Sequence, residues 1–128
     1  MAQPDTSNIE SDKQEEDAFA KEHIEEMPGW TYEKFQSIKL GHLKKNANSG
    51  DYGYYDGTSM TELIALIGRE PDSLIEYTQY YPGGADIEGK AGWTVELPEG
   101  KVSVTVYYNK EYDQIFSAKL SGWIFDLH

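Results

Sequence analysis

The chain has 128 residues, three histidines and no cysteine, and its net charge is −12. A surface this acidic repels phosphate backbones and anionic lipid, so nucleic acid and membrane are poor partners and a basic protein is a compatible one. The missing cysteines exclude disulfides, thiolate zinc sites and thiol nucleophiles.

Residues 1–29 form a segment of their own. Asp5, Glu10, Asp12, Glu15, Glu16, Asp17, Glu22, Glu25 and Glu26 stand against only Lys13 and Lys21, and apolar residues are sparse. Such a composition predicts a largely disordered acidic tether, with at most a transient helix in "DKQEEDAFAKEHIEE" anchored weakly by Phe19 and Ile24. Pro28-Gly29 punctuates its end. The opening residues lack the basic-then-apolar order of a signal peptide, and no apolar run approaches the roughly 18 residues that span a bilayer. The chain therefore reads as cytosolic, or as a mature form from which an export segment has been removed.

The folded unit is expected over 30–128. Thr31 is placed to cap a helix whose Tyr32, Phe35 and Ile38 share a face, with Gly41 as its end. Residues 42–57, rich in Asn, Gly and Asp, read as a loop. Ser59 and Glu62 then match a capping box, Met60, Leu63, Ile64 and Ile67 make an apolar stripe, and Gly68 and Pro71 stop the helix. Four strand-like segments follow at 73–81, 91–97, 101–108 and 114–124, joined by short turns at "LPEGK" and "NKEYD" that favour an antiparallel meander. "PGGADIEGKAG" between the first two reads as a hairpin loop.

Alternation sorts the strands into two faces. Trp93, Val95, Leu97, Val102, Val104, Val106, Tyr108, Phe116, Ala118 and Leu120 are expected under the two helices, together with Ile75 and Tyr77. The other face would show Glu76, Thr78, Tyr80, Thr94, Glu96, Ser103, Thr105, Tyr107, Ser117, Lys119, Ser121 and Trp123 to solvent.

The segments Lys34-Phe35-Gln36-Ser37-Ile38-Lys39-Leu40-Gly41, Gly57-Thr58-Ser59, Leu63-Ile64 and Gly68-Arg69-Glu70-Pro71 occur in this order, followed by Trp93 and "EGKV" at 99–102. The set, over about residues 31–124, resembles the beta-lactamase-inhibitor-protein-like (BLIP-like) domains of small Gram-positive surface lipoproteins. That resemblance implies an α+β fold with two short helices packed on one face of a four-stranded antiparallel sheet. It also implies a place on the outer face of the cell membrane, held by a lipidated cysteine upstream, with the acidic segment as spacer. The inhibitor proteins carry two such domains in tandem and disulfides; this chain has one domain, no cysteine and an inserted loop at 42–56. Only the domain type carries over, and not inhibition of a lactamase.

No catalytic constellation stands out. His23, His42 and His128 do not form a metal pair on a helix, and G-x-S-x-G and phosphate-cradling glycine loops are missing. The oxygens of Asn46, Asn48, Asp51 and Asp56 fail the calcium-loop pattern. Glu76 and Glu96, placed together on the open face, are the one carboxylate pair a hydrolase reading can use. The expectation is a non-enzymatic extracellular binding domain without cofactor or metal. Its open sheet face recognises a protein or cell-envelope partner through Tyr80, Tyr107, Trp123, Thr105, Lys119 and Thr78, because exposed aromatics and hydroxyls give rigid contact area. Tyr52, Tyr54 and Tyr55 in the loop extend that surface or anchor the loop. The alternatives are a structural or assembly domain of the envelope, in which the sheet face or edge pairs with another copy, and an inhibitor-like protein.

Overall fold

The computed structural model describes residues 6–45, 47–50 and 52–127, with side chains described from Asp12 onward except at Leu127. In chain order the elements are α1 (Thr6–His23), a 3-10 turn (Ile24–Glu26), α2 (Tyr32–Gln36), β1 (His42–Lys45), β2 (Tyr52–Tyr55), α3 (Met60–Ile67), β3 (Ser73–Tyr81), β4 (Gly84–Leu97), β5 (Gly100–Asn109), β6 (Gln114–Ile124) and a closing 3-10 turn (Phe125–Leu127). The fold is α+β. Strands β3-β4-β5-β6 make an antiparallel meander, and β1-β2 a separate two-stranded sheet.

The locally encoded helix is where its signals put it. The Ser59 hydroxyl accepts from the Glu62 N–H at 2.9 Å, and Gly68 closes the helix in the left-handed region at φ 75°. Met60, Leu63 and Ile67 are buried against the sheet with Trp93, Val102, Val104, Val106 and Ile115. Trp30 meets Trp93 edge-on with ring centroids 5.3 Å apart, and the Trp93 indole N–H donates to the Arg69 carbonyl at 3.2 Å. Thr31 caps α2 by accepting from the Lys34 N–H at 3.1 Å. That helix ends at Gln36, short of Gly41. The Thr58 hydroxyl accepts from the Lys39 N–H at 2.9 Å and the Thr58 N–H donates to the Lys39 carbonyl at 2.8 Å, which draws the backbone into an extended path.

The largest correction concerns the acidic segment expected to be a disordered tether. From Thr6 to Glu26 it is helical or in a 3-10 turn, and Phe19, Ala20, Ile24 and Met27 are buried in the common core. The apolar stripe that α1 itself contributes, Phe19 and Ala20, is too short to stand out in the sequence. It suffices because its receiving surface is glycine. A Cβ at Gly122 would collide with the Glu16 carbonyl oxygen, so the missing side chain lets the α1 backbone lie directly on β6. The Glu16 carboxylate also accepts from the Ile124 N–H at 3.0 Å, and Lys21 sits 4.9 Å over the Tyr32 ring. Residues 1–5 of the expected tether lie outside the described residues.

Two loop expectations are also corrected. Residues 42–57 hold the β1-β2 hairpin, with His42 opposite Tyr55 and Lys45 opposite Tyr52, and a Lys44–Asp56 ion pair beside it. Asn46 and Asp51 of the calcium reading, and His128, lie outside the described residues. The supposed loop at 82–90 is a tight turn at Pro82-Gly83 followed by the first half of β4, seven residues earlier than expected. Glycine inside this strand has a use. Gly89 lies between Glu76 on β3 and Tyr108 on β5, and any Cβ there would strike the Tyr108 ring. The phenol crosses over the glycine and donates to Glu76 at 3.2 Å.

Candidate functional site

The pairing register places each predicted contact residue, since directly opposed residues in an antiparallel pair share a face. Tyr107, Thr105, Lys119 and Trp123 do lie on the face turned away from the helices. Thr105 is opposite Lys119, Tyr107 opposite Ser117 and on its other side Lys90, and Trp123 opposite Lys101. Thr78 and Tyr80 do not join them. Tyr77 pairs with Glu88, Gln79 with Asp86 and Ile75 with Lys90, so Ile75, Tyr77, Gln79 and Tyr81 are on the open face. Thr78 and Tyr80, with Leu74 and Glu76, are on the helix side. They remain exposed there because β3 runs beyond the helical layer. Expecting Ile75 and Tyr77 inward is therefore reversed. Glu76 and Glu96 fall on opposite faces, so the carboxylate pair of the hydrolase reading does not form.

Phe116 is a second reversal. The β5-β6 register shifts between Tyr107 and Tyr108: Tyr107 is opposite Ser117 but Tyr108 is opposite Ile115. This bulge adds a residue, gives the covered position to Ile115 and turns Phe116 to the open face. There Phe116 stacks on Tyr54 of the hairpin with ring centroids 5.2 Å apart and approaches Tyr107 at 6.4 Å, while Lys90 lies 5.8 Å over the Tyr107 ring. The hairpin is thus folded over one end of the open face, and Tyr107 is half-buried rather than bare.

Between the hairpin and the β3-β4 ribbon lies a cleft of about 640 Å³. Tyr52, Tyr54, Tyr81 and Tyr112 form its aromatic walls and Asp86, Glu88 and Glu111 supply carboxylates; none of the residues lining it is basic. The Tyr81 hydroxyl donates to Asp86 at 3.2 Å and Tyr77 to Glu88 at 3.3 Å, while the Tyr112 hydroxyl donates to the Tyr52 carbonyl at 3.3 Å. Burial first, and then the Glu88 and Asp86 charges, hold the Tyr54 phenol above its ordinary pKa. The Tyr81 phenol is raised by burial and then by Asp86. The carboxylates make the cleft negative, and that charge helps hold the Tyr54 and Tyr81 phenols in their protonated form. Asp86 is fixed by the fully buried Asn109 of the neighbouring strand, whose amide donates to it at 3.3 Å.

Residue by residue, this cleft was hard to foresee. Its walls come from β2, the β3-β4 ribbon and the β5-β6 turn, and each contributes two or three tyrosines or acids that look unremarkable alone. The only sequence signal was the cluster Tyr52, Tyr54 and Tyr55. Among the described residues, no group of three or more His, Asp or Glu is placed to hold a metal ion, and no helix is long and apolar enough to cross a membrane. No protein-family model, curated protein or solved structure matches the chain.

Proposed function

We propose that this chain is a non-enzymatic binding module whose open sheet face, closed at one end by the β1-β2 hairpin, receives a basic segment of a partner protein. The observation that carries the proposal is the cleft: four tyrosines and three carboxylates around about 640 Å³, with no basic residue in the lining. A lysine or arginine inserted there gains cation–π attraction worth about 0.5–2 kcal/mol and a charge-assisted hydrogen bond worth about 1.5–3 kcal/mol. Tyr107, Thr105, Lys119 and Trp123 continue the same face beyond the cleft and would meet the rest of the segment. The net charge of −12 steers such a partner inward. We further propose that the domain is of the BLIP-like type and works on the outer face of a Gram-positive-type membrane, tethered by a lipid anchor, as the resemblance implies; helices on one face of a four-stranded meander support this reading.

The test is a titration of the protein with a short lysine- and arginine-containing peptide, followed by calorimetry. Asp86→Asn with Glu88→Gln, and separately Tyr54→Ala, should weaken binding by about tenfold to a hundredfold, the worth of one charge-assisted contact. Glu25→Gln with Glu33→Gln changes net charge equally at exposed positions on the helices and should leave affinity within about twofold. Equal losses in both double variants would reduce the effect to bulk charge and remove the cleft from the proposal.

A further inference from the structure

The two edges of the main sheet are treated very differently. Along β6, outside partners take up the backbone. The Ile115 carbonyl accepts from the Gly41 N–H at 2.7 Å, the Ile115 N–H donates to the Thr58 carbonyl at 2.9 Å, and the Ile124 N–H donates to Glu16 at 3.0 Å. Between them α1 packs directly on Gly122. Along β3 none of this occurs. The strand ends the sheet, and no described residue outside β4 makes a backbone hydrogen bond to it. It is nine residues long, eight of them exposed. It carries no proline, no lysine and no bulge, three of the devices that keep a free edge from pairing, and its single charge, Glu76, is engaged by Lys110 and the Tyr108 hydroxyl. Its exposed apolar side chains include Leu74 (48%), Ile75 (62%), Tyr80 (76%) and Tyr81 (49%).

We propose that β3 pairs with β3 of a second copy of this chain, antiparallel about a two-fold axis through Tyr77, to give one continuous eight-stranded sheet. The sequence of the strand selects both the occupant and the register. A two-fold perpendicular to the sheet keeps both helical layers on one side only if the axis passes through a residue. At Tyr77, the middle of Ser73–Tyr81, every residue of the strand is matched. Leu74 then faces Tyr80, Ile75 faces Gln79, Glu76 faces Thr78 and Ser73 faces Tyr81, each pair occurring twice. Glu76, the only charged residue of the strand, never meets itself. Moving the axis to Glu76 sets the two carboxylates against each other and strands one end. Moving it to Thr78 pushes Leu74 onto Pro82, which has no N–H to give. The favoured register puts a self-complementary set of cross-strand pairs on the one edge the fold leaves uncovered. Each copy is strongly acidic, so association strengthens as salt screens the repulsion.

Sedimentation equilibrium of the full chain should show a dimer at about 0.1 mM, tightening as NaCl rises from about 20 to 300 mM. Leu74→Lys with Tyr80→Lys sets introduced lysines opposite one another and should give a monomer. Leu74→Glu with Tyr80→Glu should do the same. An equimolar mixture of the two double variants should restore a dimer, because each lysine then faces a glutamate. Both positions are exposed, and unchanged thermal midpoints check that the variants fold. A wild-type monomer throughout, or a dimer indifferent to either double variant, would overturn the proposal. Monomers that fail to recombine in the mixture would overturn the Tyr77 register. Peptide capture by the monomeric variants separates this result from the fate of the cleft, whose lining shares no residue with these substitutions.

Discussion

Ile24→Ala tests whether the acidic N-terminal segment is structural. Ile24 has no exposed surface and lies in the core with Met27, Phe19 and Ala20. The substitution removes three carbon groups, worth about 0.8 kcal/mol each in transfer, or roughly 2.4 kcal/mol. Incomplete collapse of the cavity brings the expected loss to about 3–4 kcal/mol, inside the ~2–5 kcal/mol seen for such truncations. Against a total stability on the order of 5–15 kcal/mol this is a large fraction. Urea unfolding followed by tryptophan fluorescence should show a lower midpoint with an unchanged slope, since the surface exposed on unfolding is nearly the same. Glu22→Ala, on the exposed side of α1, should stay within about 0.5 kcal/mol of wild type. If Ile24→Ala is equally silent, α1 does not dock on the sheet in solution and residues 12–29 return to being a spacer.

Two further outcomes follow from the described contacts. Burial, followed by the charge and hydrogen bond of Glu76, pushes the Tyr108 phenol from 10.0 up to about 12. The folded chain keeps a proton that the unfolded chain releases, so this stabilisation is complete below about pH 10 and is lost as pH rises toward 12. Urea midpoints should fall over that window, and Tyr108→Phe should flatten the fall without removing it, because the phenols of Tyr54, Tyr77 and Tyr81 are raised as well; an identical slope in the variant would refute the assignment. Asp113, at φ 51° in the β5-β6 turn, accepts from the Met60 N–H at 3.0 Å and from the Thr61 hydroxyl at 2.7 Å. Asp113→Ala should cost about 1–2 kcal/mol through the lost cap, and Asp113→Asn should recover most of it in thermal melts; equal stability of the alanine variant would refute the cap.

Features written within a few residues were legible in the sequence. Ser59, Glu62 and Gly68 delimit α3 because a capping box and a left-handed glycine are local chemistry. β5 was legible because Val102, Val104 and Val106 alternate against Ser103, Thr105 and Tyr107. Reading failed where the deciding contact is distant. α1 has few apolar residues, and the glycines that make them sufficient lie about 100 residues later at Gly122. The strand character of Gly84–Lys90 is masked by Gly84 and Gly89, and the purpose of Gly89 appears only when Tyr108 crosses it. On β3 the alternation carries no contrast, since Leu74 and Tyr80 on one side match Ile75 and Tyr77 on the other; Thr78 and Tyr80 were therefore assigned to the wrong face. Phe116 was misplaced by one bulge, which no two-residue period can register. Of the candidate site, Tyr107, Thr105, Lys119 and Trp123 lie on the expected face, while the tyrosine cleft needs β2, the β3-β4 ribbon and the β5-β6 turn to be brought together.

The β1-β2 hairpin leaves and re-enters the body at almost one point. Gly41 is bonded to the Ile115 carbonyl, and Gly57 donates to the Gln114 side chain at 2.6 Å. The two glycine backbones are so close that a Cβ on Gly57 would overlap the Gly41 amide. A flap pinned at its root by Gly41 and Gly57, on its flank by Tyr54 against Phe116 and near its tip by the Tyr112 hydroxyl on the Tyr52 carbonyl cannot slide along the sheet, so the width of the tyrosine cavity is set by those three contacts.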